Sequence, residues 1–410
     1  MELGYGKAAL VLLMVAAVVA MIARRLRIPY SVGLVAAGII LTLLPFGPRI
    51  SITKELIFDA LLPPLLFEAA FYLRWNDLRR ELPLILVLAS AGVVLSGAVT
   101  AAGMHFIGQW QWSSALVFGA LIAATDPVAV IATFRQAGVH GRLRLLIEAE
   151  SLFNDGTAAV AFGVATLVAA GHAFSATGLA LNLVATVGGG LLCGAAVGGA
   201  SLFLTRRTND HLVELTFTTV AAYGSFLSAE QFHFSGVFAT ITAGLIIGNR
   251  GRLGILSDQG RGAVEAFWEY AAFVANSLVF LLIGMQEAAQ NFAAVWLPAL
   301  AAIAFVLLGR AVAVYPICLA FGRTALRTTA RRQHALFWGG LRGALALALA
   351  LGLPEMPDRA ALVTVSFAVV AFSIFVQGLT MPPLLRAIGE IPAARSQESG
   401  ARSRESEARS

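Results

Sequence analysis

Apolar residues run along this chain in long blocks, interrupted at short intervals by arginine clusters, glycines, prolines and a few acidic residues. About 20 mostly apolar residues in helical form cross a ~30 Å hydrocarbon layer. Block length and turn signals together predict thirteen helical spans, at 7–23, 30–45, 56–73, 82–107, 113–134, 143–170, 176–205, 211–228, 235–248, 264–285, 292–321, 335–352 and 359–388. Two of these blocks are broken from within. In the fifth, Asp126 stands directly before Pro127, which lacks a backbone donor, clashes with the preceding turn and pushes Asp126 out of the α region. In the twelfth, Gly339, Gly340 and Gly343 surround Arg342 and permit a second interruption.

Composition moves the picture from helical to membrane-embedded. The 410 residues are 58% hydrophobic and 13% charged, with a mean hydropathy of +0.81, and no single globular core of this size hides so much apolar surface. The fold class is an all-α polytopic membrane protein. The first block ends in Arg24-Arg25-Leu26-Arg27 without a small-residue cleavage site, so it reads as a retained helix. Cys193 and Cys318 lie in separate spans and read as small packing residues.

The net charge of +6 points to orientation rather than to nucleic acid. Most of the 29 Lys and Arg residues lie in loops that follow odd-numbered spans. By the positive-inside rule this predicts an outside N-terminus, a cytoplasmic C-terminus and an odd number of spans. Residues 1–390 form one transmembrane domain, and 391–410, rich in Arg, Ser, Glu and Ala with no periodic apolar face, read as a disordered cytoplasmic tail. No phosphate-cradling Gly-x-x-x-x-Gly-Lys-Ser/Thr loop and no soluble domain are visible, which argues against an ATP-driven pump. The expectation is therefore transport without enzymatic chemistry, without a cofactor, and driven by another gradient.

Buried charge marks where transport occurs. A carboxylate in the hydrocarbon layer costs roughly 2.5–3.5 kcal/mol on insertion scales and persists where it faces a partner, a wet cavity or an ion path. The segment Glu148-Ala149-Glu150-Ser151-Leu152-Phe153-Asn154-Asp155 carries three. Ser151 and Asp155 are four residues apart and share a helix face, whereas Glu150 points ~140° away from Asp155. Asp155, Ser151 and Thr125 are thus candidate oxygen ligands for a small hard cation, with Asp126 offsetting the positive end of the half-helix that follows Pro127. Glu150 needs a permanent counter-charge, and Arg342 is the candidate partner. Arg310 is expected to fix a helix pair or an unwound carbonyl. Glu68 is either part of the cavity wall or a side chain snorkelling to the interface, and Glu148 reads as an entrance residue that attracts cations.

The motifs LLPPLLFEAAF, ATDPVAV, ESLFNDGTAAVAF, NSLVFLLIG, GGLRGALALALAL and VQGLTMPPLLRAIG occur together and in order over nearly the whole chain. In these the sequence resembles the sodium/proton antiporters of the first monovalent cation:proton antiporter family, the NhaP and NHE group. The resemblance implies an inverted-repeat fold of thirteen helices, with unwound crossing helices in the fifth and twelfth spans, a core bundle and a dimerisation bundle. It also implies a homodimer with elevator-like alternation, in a bacterial cytoplasmic membrane. Asp155 then resembles the family's cation and proton carrier, Ser151 and Thr125 its other ligands, and Asp126 the residue that stabilises the crossing. Asn154 resembles the neutral member of the Asn-Asp pair and Glu150 with Arg342 the buried ion pair, while Glu68 matches the third-helix acidic position. The expected activity is electroneutral exchange of Na⁺, and of Li⁺, for H⁺, serving pH and sodium homeostasis. A K⁺/H⁺ antiporter of the same architecture is the nearest alternative, and a cation channel is disfavoured by the lack of a carbonyl filter motif.

Overall fold

A computed structural model describes residues 5–26, 28–44, 53–136, 141–172, 175–251, 255–356 and 358–391. From residue 392 onward the predicted tail lies outside the described residues. Among the described residues every regular element is helical. In chain order they are α1 (Tyr5–Leu26), α2 (Tyr30–Leu43), α3 (Leu62–Tyr72, entered through a wide π turn at Leu56–Leu61), α4 (Trp75–Ala89), α5 (Ala91–Phe106), α6 (Trp112–Leu121), α7 (Val128–Gln136), α8 (Arg142–Ala169) and α9 (Ala176–Thr205). There follow α10 (His211–Gln231), α11 (Gly236–Arg250), α12 (Asp258–Glu287), α13 (Trp296–Ala320), α14 (Ala330–Trp338), α15 (Ala344–Leu351), α16 (Arg359–Phe372) and α17 (Gly378–Ala387).

Among the described residues, 8 helices are long and apolar enough to cross a membrane by length and composition. One of them is α4 continued into α5 over 32 residues. Its joint at Ser90 has a side-chain hydroxyl that donates to the Leu86 carbonyl at 2.5 Å, a back-bond that bends helices. Three helices begin five or more residues earlier than predicted, α4 at Trp75 rather than 82, α12 at Asp258 rather than 264 and α14 at Ala330 rather than 335. The first turns of α4 and α12 carry Asp77, Arg79, Arg80 and Glu81, or Asp258 and Arg261, so the apolar signal starts later than the helix.

The surface is inverted relative to a soluble protein. Leu10, Met14, Leu181, Val184, Leu192, Leu300 and Leu319 are all exposed, as lipid-facing side chains are. Without a hydrophobic drive between helices in lipid, close backbone approach must hold the bundle. A Cβ on Gly38 would lie 2.2 Å from the Leu281 carbonyl oxygen, and one on Gly284 2.1 Å from that of Val35, so α2 and α12 meet backbone to backbone. The helices pack in two groups that alternate along the chain. One holds α1–α3 and α9–α12, the other α4–α8 and α13–α17, and α8 touches α3 and α11 across the boundary.

Candidate cation site

The fifth predicted span is interrupted between α6 and α7, and the twelfth between α14 and α15, at the positions where Pro127 and the glycines predict it. The two interruptions bond to each other, the Asp126 amide donating to the Leu341 carbonyl at 2.7 Å. Pro127 opens α7, and its carbonyl accepts from the Ile131 amide at 2.8 Å.

Asp126 ends both half-helices. Its Oδ1 accepts from the Val128 amide at 2.9 Å, and its Oδ2 lies against Gly343, the residue directly before α15. One anion therefore faces two positive helix ends. Gly343 makes room for this, because a Cβ there would fall 2.0 Å from Asp126 Oδ2.

The two buried arginines exchange the roles that the sequence suggests. Glu150 is paired not with Arg342 but with Arg310, whose Nη1 and Nη2 donate to Oε1 and Oε2 at 2.7 and 2.9 Å. The same guanidinium donates to the Leu336 carbonyl at 3.0 Å, joining α13 to α8 and α14. Arg342, 1% exposed, instead donates from Nη1 to the carbonyls of Ala123 and Ala124 at 2.5 and 3.0 Å. The reason is backbone satisfaction. Unwinding after α6 frees carbonyls where water is scarce, and the arginine at the facing break is the donor that meets them. Asn154 donates to Glu150 Oε1 at 3.2 Å, one turn along the same face of α8.

Around the crossing lies a cavity of about 400 Å³ lined by Thr125, Asp126, Ser151 and Asp155. The Ser151 hydroxyl donates to the Thr125 carbonyl. Thr125 Oγ1 is buried without a hydrogen-bond partner, and no hydrogen bond or ion pair engages the Asp155 carboxylate among the described residues. A carboxylate and hydroxyl oxygens are a fitting donor set for a small hard cation. No group of three or more His, Cys, Asp or Glu side chains able to hold a metal ion occurs among the described residues.

A second cavity, about 670 Å³, opens beside Arg74 and Arg144 at the arginine-rich end of the bundle. Glu68, Glu148 and Glu269 line both cavities and mark the passage between them. Glu148 is 3.6 Å from Arg144, and Glu68 is half-buried on α3. Glu269 and Asn276, both on α12 and both in the wall of the inner cavity, were missed from sequence. The available signals were their seven-residue spacing on one helix face and, for Asn276, its place as the first residue of the motif NSLVFLLIG.

The sodium/hydrogen exchanger transmembrane family model matches residues 11–387. The chain is 40% identical over 369 residues to the Na⁺/H⁺ antiporter ApNhaP of Aphanothece halophytica, covering 89% of this chain and 70% of that protein. It is 34% identical over 396 residues to the Na⁺/H⁺ antiporter NhaH of Halobacillus aidingensis, covering 93% and 97%. In fold it is similar to the sodium proton antiporter MjNhaP1 of Methanocaldococcus jannaschii at pH 8, with a TM-score of 0.71 and 20% identity over 94% of this chain and 98% of that one. With the family match spanning nearly every described helix, this chain belongs to the sodium/hydrogen exchanger family.

Proposed function

We propose that this protein is a secondary antiporter that exchanges Na⁺, and Li⁺, for H⁺ across a bacterial cytoplasmic membrane. The observation that carries the reading is the charge balance at the crossing. Arg310 neutralises Glu150. Asp126 and Arg342 sit against the ends of the interrupted helices, the carboxylate at amides and the guanidinium at carbonyls. Asp155 is left without a partner in a cavity.

A carboxylate sheltered from bulk water holds a proton or a cation, and each neutralises it once. Loaded with either, the crossing is close to neutral. Empty, it carries a charge whose transfer across a low-dielectric barrier costs several kcal/mol. Movement of the empty site is thereby opposed, and exchange is enforced without a separate gate. One uncompensated charge favours one proton per cation. The two-group packing favours alternation of a core bundle holding α4–α8 and α13–α17 against a bundle holding α1–α3 and α9–α12, the latter serving as the dimerisation surface of a homodimer. Thirteen spans, an outside N-terminus and a cytoplasmic C-terminus complete the reading, and its chemistry is transport rather than enzymatic conversion.

The test is proton flux from proteoliposomes holding the purified protein, driven in turn by Na⁺, Li⁺ and K⁺. Sodium-driven proton movement that Asp155→Asn abolishes, in a variant that still elutes as a folded species, is the expected result. Flux that survives Asp155→Asn would sink the carrier assignment, and flux with K⁺ alone would favour the potassium exchanger.

A further inference from the structure

The inner cavity has two walls, and the second supplies an oxygen that the family resemblance did not suggest. Along both α8 and α12 the chain passes from the outer cavity, beside Arg74 and Arg144, to the inner one, so the two helices run in the same sense. Glu148 on α8 and Glu269 on α12 both stand at the passage between the cavities. Seven residues farther along each helix, about 10.5 Å at 1.5 Å per residue, come Asp155 and Asn276, which line the inner cavity but not the outer one. The two side chains are therefore level.

The setting of α12 is fixed on either side of Asn276. Phe273 stacks on Tyr30 with ring centroids 5.6 Å apart and planes 10° from parallel, and Ser277 Oγ lies 2.8 Å from the Tyr30 hydroxyl. The Asn276 carboxamide itself takes no hydrogen bond or ion pair among the described residues, although it is half-buried. Across the same cavity, Thr125 Oγ1 is buried and equally unpartnered.

We propose that Asn276 is a cation-specificity residue whose side-chain carbonyl completes, from the α12 wall, the oxygen shell of an alkali cation held by Asp155 and Thr125. The inference rests on the antiporter reading above and adds to it. An amide contributes an oxygen without a charge, so it favours a small hard cation while the one-for-one neutralisation of Asp155 is kept. Because α12 lies in the other packing group, the ligand is offered only while Asp155 faces that wall, and the ion sheds it on moving away.

The experiment compares wild type with Asn276→Ala, Asn276→Leu and Asn276→Asp in proteoliposomes, with Na⁺, Li⁺ and K⁺ as driving ions and with Na⁺-dependent thermal stabilisation of the purified protein as a second readout. Loss of one ligand oxygen is expected to raise the apparent KM for Na⁺ about tenfold in the Ala and Leu variants, far more than it changes maximal rate, and to narrow the preference for Na⁺ over K⁺. Asn276→Asp restores an oxygen and is expected to keep a low KM. Ala and Leu variants with wild-type KM and ion order would overturn the proposal while leaving the antiporter reading standing. A wild type that moves no protons with any of the three ions would overturn the antiporter reading instead. If neither Ala nor Leu yields folded protein, Asn276→Ser decides, because its hydroxyl stops short of the place of the Asn carbonyl: weaker Na⁺-dependent stabilisation than wild type is expected, and a response identical to wild type overturns the proposal.

Discussion

At the scale of single residues, the arginines separate what a sequence states from what only a fold supplies. That Glu150 needs a cation was legible, because an unpaired carboxylate inside a span is too costly to persist. Which arginine it takes was not, since both candidates lie inside apolar blocks far along the chain, and nothing in one dimension says which faces α8. A double-mutant cycle reads the assignment directly. Glu150→Ala and Arg310→Ala are each expected to destabilise the protein by about 3–5 kcal/mol, the usual cost of breaking a buried pair. Together they should cost much less than their sum. Arg342→Ala combined with Glu150→Ala should be closer to additive, because Arg342 serves carbonyls. A coupling energy larger for Arg342 than for Arg310, measured by thermal or denaturant unfolding in detergent, would reverse the correction. Asn276 stayed hidden for a different reason: a neutral side chain in an apolar run carries no energetic alarm.

At the scale of elements, the interruptions were the most readable features. Pro127 forbids a continuous helix, and three glycines around Arg342 permit a break. The span starts at α4 and α12 were less readable because their first turns are polar. Two glycines make predictions here. Gly343→Ala forces a methyl group to within 2.0 Å of Asp126 Oδ2, so the variant is expected to lose about 1–3 kcal/mol of stability, as overpacked sites do, and to lose sodium-driven proton flux. Wild-type flux from Gly343→Ala would show that the double cap is dispensable. At the start of α12, buried Glu214 accepts from the Ser257 amide and hydroxyl at 3.3 and 3.2 Å, and a Cβ on Gly260 would sit 1.5 Å from Glu214 Oε2. Gly260→Ala should cost about 0.5–2 kcal/mol, the range for a lost helix cap, without changing ion preference. A melting temperature equal to wild type would exclude that role.

At the scale of the whole molecule, one site serving two ligands dictates how pH and sodium interact. Protons compete with Na⁺ for Asp155, so acidification is expected to raise the apparent KM for Na⁺, approaching about tenfold per pH unit where the protonated form dominates, while saturating Na⁺ restores the rate. A maximal rate that falls with acid at constant KM would contradict competition. Exchange of one charge for one charge should also be indifferent to an imposed membrane potential, and a potential-dependent rate in proteoliposomes would overturn the stoichiometry. The all-helical, membrane-embedded character was legible at this scale, since long apolar blocks and two internal breaks are statements about lipid solubility. The two-group packing was not, because its members alternate along the chain.

Asp126 has a mechanical corollary. A single side chain stitches α7 to α15, so neither can swing without dragging the other. Under the alternation proposed above, opening to the opposite side carries the crossed pair as one cargo bed, with slack at the seam where its group meets α2, α3, α11 and α12. Mutations that loosen that seam should alter turnover speed, whereas damage to the stitch should stop the machine altogether.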